Sequence, residues 1–200
     1  MKLLKHIEGL WRRVLLRGTS FTGAYGKIRM LYAMEDPWEM ASAREQHRFA
    51  QTRAQLQTLS AAYDNILEFG CGEGHQSAHL NTLCQRLYGV DISAAAVARA
   101  RRRCPEGQFE VAALEDAASV FPDQRFDLIT ACEVLYYATD IETVLSLLQA
   151  RTDRLYVSNY KPRSDLMKAL FSGPGWRALA DITFKETVWE CFVWENPNAG

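Results

Sequence analysis

The sequence predicts an α/β fold: a Rossmann-like, doubly wound sheet of parallel strands with helices on both faces. Three observations predict it. From Asn65 onward, short apolar runs alternate with helical patterns, as strand-helix-strand units require. The first run, ILEF (66–69), leads into a turn with glycine at 70, 72 and 74, the shape of a nucleotide-binding turn. The second run, RLYGVDI (86–92), carries Asp91 near its end, 21 residues after Gly70, where an acid can take both hydroxyls of a ribose.

In chain order, residues 3–16 place Leu3, Leu4, Ile7, Leu10, Trp11, Val14 and Leu15 at helical spacing, with Lys and Arg on the opposite face. This basic amphipathic pattern is read as an arm that packs on its own domain or covers its site; membrane-surface attachment and a transit peptide are the competing readings. RGTSFTGAYGK (17–27) breaks that pattern with three glycines, as a lid or a turn would. Pro37 holds Asp36-Pro37-Trp38 extended. Ser42 and Glu45 have the spacing of a capping box, which predicts a helix over 42–59. Strands are predicted near 66–70, 87–92, 108–113, 126–132 and 154–159, and helices near 75–86, 93–104, 140–150 and 164–171. Thr139 and Glu142 form a second capping-box pattern ahead of Ile141, Val144, Leu145 and Leu148. Gly173-Pro174-Gly175 signals a loop, and the Thr-, Val-, Phe- and Trp-rich tail ITFKETVWECFVWEN reads as two strands in a hairpin. The expected organisation is a helical arm or lid over 1–60 and one folding unit over 61–200.

Composition narrows the function classes. Hydrophobic residues make up 48% of the 200 and charged residues 24%, as in an ordinary globular domain. Lys plus Arg is 23 against 24 for Asp plus Glu, so the net charge of -1 gives no general pull toward nucleic acid or membrane. The N-terminus is locally basic, with Lys2, Lys5, Arg12, Arg13, Arg17, Lys27 and Arg29 against Glu8. Arg99, Arg101, Arg102 and Arg103 cluster at a helix end, where cations oppose the dipole, and lack the interleaved aromatics of a nucleic-acid patch. Five cysteines with no C-x-x-C pair suggest neither a disulfide framework nor a zinc ribbon, and the expected compartment is a reducing cytoplasm. No apolar run approaches the ~20 residues of a membrane span.

The glycine turn discriminates between cofactors. A dinucleotide fingerprint has glycine at its sixth position, where this chain has His75, and Glu68 stands two residues before the first glycine. Both disfavour a pyrophosphate, and with it a nicotinamide-dependent oxidoreductase. S-adenosyl-L-methionine has no phosphate; it carries a sulfonium, an ammonium and a carboxylate, so acids such as Glu68 and Glu73 beside the turn are tolerable or useful. His75 and His79 stand at i, i+4, yet no third ligand is evident in the sequence, and no metal is expected.

LEFGCGEG, GVDIS and FDLITACEVLYY resemble motifs of class I S-adenosylmethionine-dependent methyltransferases, over roughly residues 65–160. DPW (36–38), EQHR (45–48) and EVLYY (133–137) together are similar to nodulation protein S-like N-methyltransferases, extending the likeness to most of the chain after residue 35. The resemblance implies a seven-stranded sheet with an antiparallel last strand. It places Arg48 against the cofactor carboxylate, a task suited to a planar bidentate donor, and Trp38 over the cofactor or substrate entrance. Many relatives hold the adenine amino group with an Asp where this chain has Ala113; here that contact is either missing or made by Glu115 or Asp116, with the Leu114 amide still able to meet the ring. The expected cofactor-binding set is therefore Trp38, Arg48, Glu68, Gly70, Cys71, Gly72, Gly74, Asp91, Ile92, Leu114 and Glu115.

Methyl transfer is an in-line displacement, so the protein's main task is to hold a lone pair in line with the methyl group. Glu133, just past the strand FDLITAC, is the first choice for an acid at the site; Tyr136, Tyr137 and His47 are further candidates. The expected activity is methylation of a small molecule or sugar-derived metabolite at nitrogen or oxygen. A non-catalytic module that keeps the fold is one alternative. An RNA methyltransferase, whose RNA binding would weaken steeply with salt, is another.

Overall fold

The computed structural model describes residues 25–198. The amphipathic pattern at 3–16 and residues 17–24 of the glycine-containing segment lie outside the described residues.

The chain enters through α1 (Tyr25–Leu31) and α2 (Ala43–Leu59), then alternates β1 (Tyr63–Phe69), α3 (Ser77–Leu80), β2 (Cys84–Asp91), α4 (Ala94–Arg103), β3 (Gln108–Val111), α5 (Ala117–Val120) and β4 (Leu128–Cys132). After a 3-10 turn at Leu135–Tyr137 come α6 (Ile141–Gln149), β5 (Arg154–Tyr160), α7 (Lys161–Ser164) and a 3-10 turn at Lys168–Phe171. The chain ends in β6 (Trp176–Ala178), β7 (Ile182–Phe184) and β8 (Thr187–Glu195).

The sheet order is β3-β2-β1-β4-β5-β8-β6, with β7 also on β8. Strands β1 to β5 pair in parallel and β8 runs antiparallel to β5. The expected fold class holds, with its antiparallel last strand. The expected edge strand comes in two pieces: β6 pairs with Phe192, Val193 and Trp194, β7 pairs with Thr187, Val188 and Trp189, and the Leu179 N–H to Cys191 carbonyl bond at 2.8 Å joins them. The hairpin in the tail is present, and β6 is an element the sequence reading missed.

Strand periodicity builds two cores. Leu67, Phe69, Ile129, Ala131, Leu155 and Val157 face α6, packing on Val144, Leu145 and Leu148. Ile66, Leu128 and Tyr156 point the other way, toward Leu56 of α2 and Val97 and Ala100 of α4. Near-continuous burial along the ends of β1 and β2 is what a sheet covered on both faces produces. Among the described residues no helix is long and apolar enough to cross a membrane.

Several expectations need correction. The helix foreseen at 75–86 is one turn long, because Cys84 already pairs with Tyr63 at the start of β2. The helix foreseen at 164–171 divides into α7, opened by Pro162, and a 3-10 turn. The cap of α6 is Asp140, whose carboxylate accepts the Thr143 N–H at 3.0 Å; Thr139 instead donates to Glu115.

Sheet order fixes where a ligand can sit. The connection from β3 returns across the sheet to β4, so loops leaving β1 and β4 depart in opposite directions and open a crevice at the strands' carboxyl ends.

Candidate functional site

A cavity of about 290 Å³ occupies that crevice. Its floor is the turn after β1, where Gly70, Gly72 and Gly74 all have positive φ, at 79°, 52° and 78°. A side chain at Gly70 would place its Cβ 2.5 Å from Val134 Cγ2, so the turn can pass under the exit of β4 only as glycine. Gly74 serves a different neighbour: its Cβ would lie 3.0 Å from Ala100 Cα, so it admits α4 and does not line the cavity.

Asp91 ends β2 and its carboxylate accepts the Gly72 N–H at 3.0 Å and the Ser93 N–H at 2.9 Å. These bonds tie the glycine turn to the second strand and still leave oxygen lone pairs facing the cavity. Burial pushes the Asp91 carboxyl up to about 6, against the pull of the backbone donors. Glu68 lies deeper, accepting the Ser77 hydroxyl, and burial pushes it up to about 8 although Ser77 and Arg48 oppose the shift. A cation bound beside these acids would return both toward the ionised form.

These shifts set a sign for stability. A carboxyl whose folded pKa is raised holds its proton more tightly folded than unfolded, so its contribution is present below the unfolded value and is lost as pH rises through the folded value. For Glu68 that window runs from 4.5 to about 8. His75 and His79, lowered by burial, work the other way as pH falls through their own range, so comparison with a variant isolates the Glu68 share. The unliganded protein is expected to lose thermal stability between pH 6.5 and 8.5 more steeply than Glu68→Gln; equal slopes in melting curves would remove Glu68 as the cause.

Arg48 comes from the inner face of α2 and is 2% exposed. Its Nε donates to Glu45 Oε2 at 2.8 Å, its Nη1 donates to Gln76 Oε1 at 3.2 Å, and its guanidinium lies 4.7 Å from the Phe49 ring centre. Opposite stands Glu133, held at a left-handed φ of 57° by the fold around β4. Its N–H donates to the Ser158 carbonyl at 2.8 Å, and its carboxylate accepts the Tyr160 N–H and the Tyr136 hydroxyl, the latter at 3.2 Å. Burial raises Glu133, while Arg48 pulls it down.

Aromatic rings wall the entrance. Trp38 and Tyr137 have ring centres 6.5 Å apart, Tyr136 and Tyr137 4.7 Å, and the Arg163 guanidinium lies 5.8 Å from the Tyr136 ring. Tyr32 brings its hydroxyl to 2.9 Å from the point a Gly72 Cβ would occupy.

The cavity thus gathers Trp38, Arg48, Glu68, Gly70, Cys71, Gly72, Asp91, Ile92, Leu114, Glu133, Tyr136 and Tyr137 from the residues singled out in the sequence. It does not gather His47, Gly74, Glu115 or Asp116. His47 points to the last hairpin, its ring 5.5 Å from Phe184. Glu115 accepts the Tyr25 hydroxyl at 2.8 Å and the Thr139 hydroxyl at 2.9 Å, clamping α1 over the loop after β3 rather than lining the cavity. Sequence reasoning missed Tyr25, Tyr32 and Glu45, which line the cavity from segments whose approach to the glycine turn carries no local signature, and Gln76, two residues past Gly74.

Three arginines of the basic cluster on α4 make internal contacts. Arg99 donates to the Tyr32 and Met34 carbonyls at 3.0 Å and to Glu73 at 2.6 Å, Arg101 to the Phe109 carbonyl and Arg103 to the Glu73 carbonyl. His75 and His79 do not converge, since His79 packs on Phe49 with ring centres 5.7 Å apart. His75 instead lies with Asp36 and Glu73, their ligand atoms within 4.8 Å of one another. Glu73 there accepts from Arg99 and from the Asp36 N–H, and the Asp36 carboxylate caps Met40 and Ala41.

Comparison with known proteins matches residues 24–158 to the family model described as nodulation protein S (NodS). Nodulation protein S of Sinorhizobium fredii is 36% identical over 121 residues, 60% of this chain and 56% of that protein. The Bradyrhizobium diazoefficiens protein of the same name is 37% identical over 111 residues, 54% of this chain and 52% of that one. The chain spans about half the length of these curated relatives. Among solved structures, N-methyltransferase NodS from Bradyrhizobium japonicum WM9, in complex with S-adenosyl-L-homocysteine, superposes with a TM-score of 0.70 at 20% identity. That match covers 88% of this chain and 100% of the other.

Proposed function

The chain belongs to the nodulation protein S (NodS) family, and from that premise we propose that it is an S-adenosyl-L-methionine-dependent methyltransferase acting on a small molecule or sugar-derived metabolite at nitrogen or oxygen. The observation that carries the reading is one cavity joining a three-glycine turn, the Asp91 carboxylate and a wall of buried acids facing a buried arginine. Acids close to the turn suit a cationic cofactor and repel a pyrophosphate. N-methyltransferase NodS from Bradyrhizobium japonicum WM9, in complex with S-adenosyl-L-homocysteine, supports the same cofactor.

The residues present fit that cofactor. Asp91 would accept from the ribose hydroxyls, Ile92 and Leu114 would flank the adenine, Glu68 would face the ammonium, and Arg48 the carboxylate. When bound, the cofactor supplies an electrophilic methyl group on a sulfonium. What this chain adds is position and proton handling. Trp38, Tyr136 and Tyr137 close the entrance around the acceptor and exclude water, and Glu133 orients it through a charge-assisted hydrogen bond. The methylated acceptor would be more acidic, and Glu133 would take its proton or pass it to solvent. Burial raises the affinity of Glu133 for that proton. All five cysteines are unpaired, which supports a reducing, cytoplasmic setting.

Thermal unfolding with S-adenosyl-L-methionine, S-adenosyl-L-homocysteine, NAD and NADP tests the cofactor. A ligand at 100 times its Kd stabilises by ~2.7 kcal/mol, a shift of roughly 5–11 °C for a domain of this size, expected from the two sulfur nucleosides alone. A shift with NAD or NADP alone would sink the reading. Glu133→Gln keeps an acceptor for the Tyr160 N–H but cannot take a proton. It is expected to lower kcat by about 10–100-fold while nucleoside affinity stays within about threefold. Unchanged kcat would leave Glu133 a structural role.

A further inference from the structure

We propose that Glu45 is a positioning residue for Arg48: its carboxylate fixes the guanidinium so that the fork's unused edge is presented to the carboxylate of the bound sulfur nucleoside. The inference rests on the proposed function, and it concerns a residue whose evident sequence role, the far end of a capping box, the structure takes away.

In a capping box the third residue of the helix reaches back to the cap residue's N–H. Here Ser42 does cap α2, its hydroxyl accepting the Glu45 N–H at 3.4 Å, but the Ser42 N–H already donates to the Glu39 carbonyl at 2.9 Å. The Glu45 carboxylate is released from capping and turns inward, 5% exposed. There one oxygen accepts from Arg44 Nε at 2.9 Å and the other from Arg48 Nε at 2.8 Å. A carboxylate taken this far from water at the rim of a cavity loses hydration, and only a well-aligned cation offsets that loss.

For Arg48 the contact decides orientation. A guanidinium has one Nε edge and two terminal nitrogens in a rigid plane. Glu45 takes the Nε edge, Gln76 takes one bond from Nη1, and the Phe49 and Trp189 rings, 4.7 and 5.9 Å from the guanidinium carbon, limit rotation of the plane. Among the described residues the Arg48 side chain bonds to protein through Nε and Nη1. Arg48 lines the cavity, so the outer pair of nitrogens is the part of the fork left for a planar anion. Without Glu45, the long side chain would regain rotamers that put the fork elsewhere.

Two effects of removing Glu45 oppose each other. Loss of its negative charge strengthens the attraction of Arg48 for an anion; loss of the Nε anchor weakens binding by misplacing the fork. Glu45→Gln removes the charge and keeps an acceptor, whereas Glu45→Ala removes both. Calorimetric titration uses two probes: S-adenosyl-L-homocysteine, and 5′-deoxy-5′-methylthioadenosine, which has the adenosine and the sulfur but no amino-acid end. Glu45→Ala is expected to bind S-adenosyl-L-homocysteine at least about tenfold more weakly and methylthioadenosine within about twofold of wild type. Glu45→Gln is expected to restore S-adenosyl-L-homocysteine binding to within about threefold.

Equal losses for both nucleosides, or no loss for either, would overturn the proposal, as would a Gln variant as weak as Ala. If Glu45→Ala does not fold, Glu45→Asp withdraws the acceptor by one methylene and should show the same selective loss. Wild-type protein that binds both nucleosides equally well would overturn this inference and leave the proposed function standing. Binding of neither would overturn the proposed function and this inference with it.

Discussion

Asp91→Ala is expected to weaken S-adenosyl-L-methionine and S-adenosyl-L-homocysteine at least tenfold in calorimetric titration. Each charge-assisted hydrogen bond from a ribose hydroxyl to this carboxylate contributes roughly 1.5–3 kcal/mol, and the substitution removes every acceptor at once. The same carboxylate also receives the Gly72 and Ser93 N–H groups at 3.0 and 2.9 Å, so the variant leaves two buried donors unpaired and loosens the turn under the cofactor. A loss of about 1–3 kcal/mol of stability per unpaired donor should therefore accompany the loss of affinity. Asp91→Asn separates the two contributions. Its carbonyl oxygen retains one backbone donor, so stability should recover more than affinity. Unchanged affinity in Asp91→Ala would remove this residue from the ribose site.

Gly70→Ala is expected to destabilise the fold strongly. With φ at 79° the added Cβ enters a left-handed backbone, at about 1–2 kcal/mol, and it does so 2.5 Å from Val134 Cγ2 and 2.9 Å from Val134 Cβ. The second distance matters more, because Cβ cannot be moved by a rotamer change; β1 and β4 would have to part. Overpacking of this kind costs about 1–3 kcal/mol more. A total of about 2–5 kcal/mol corresponds to a fall of roughly 4–20 °C in Tm at about 2–4 °C per kcal/mol for a domain of this size. A midpoint within a degree of wild type would show that the turn does not need glycine at this position.

Much of the molecule was legible before any coordinate. Alternating apolar runs report the parallel sheet because strands buried on both faces have no choice but to be apolar, and the glycines at 70, 72 and 74 report the turn because few other residues tolerate its dihedrals. Asp91 was legible because it follows the turn by one strand-helix unit. Where helix and strand patterns overlapped, the sequence misled. Leu80, Leu83 and Leu87 suit one helix face, yet β1 offers Cys84 a ladder partner, and the strand wins.

The residues that the sequence determines by itself are those whose chemistry is local: the glycines, the helix cap at Ser42 and the acid at the end of β2. Tertiary structure alone decided the rest. Glu45 has the spacing of a capping residue, and only the Glu39 carbonyl's prior hold on the Ser42 N–H turns its carboxylate toward Arg48. Likewise Glu115 looks available to an adenine until Tyr25 and Thr139 are found to occupy it, and His47 looks poised over the site until α2 rolls it toward Phe184. In each case the partner lies far along the chain, or its claim depends on which donor is already satisfied. Sequence fixes what a side chain can do; packing fixes which of those bonds remain open.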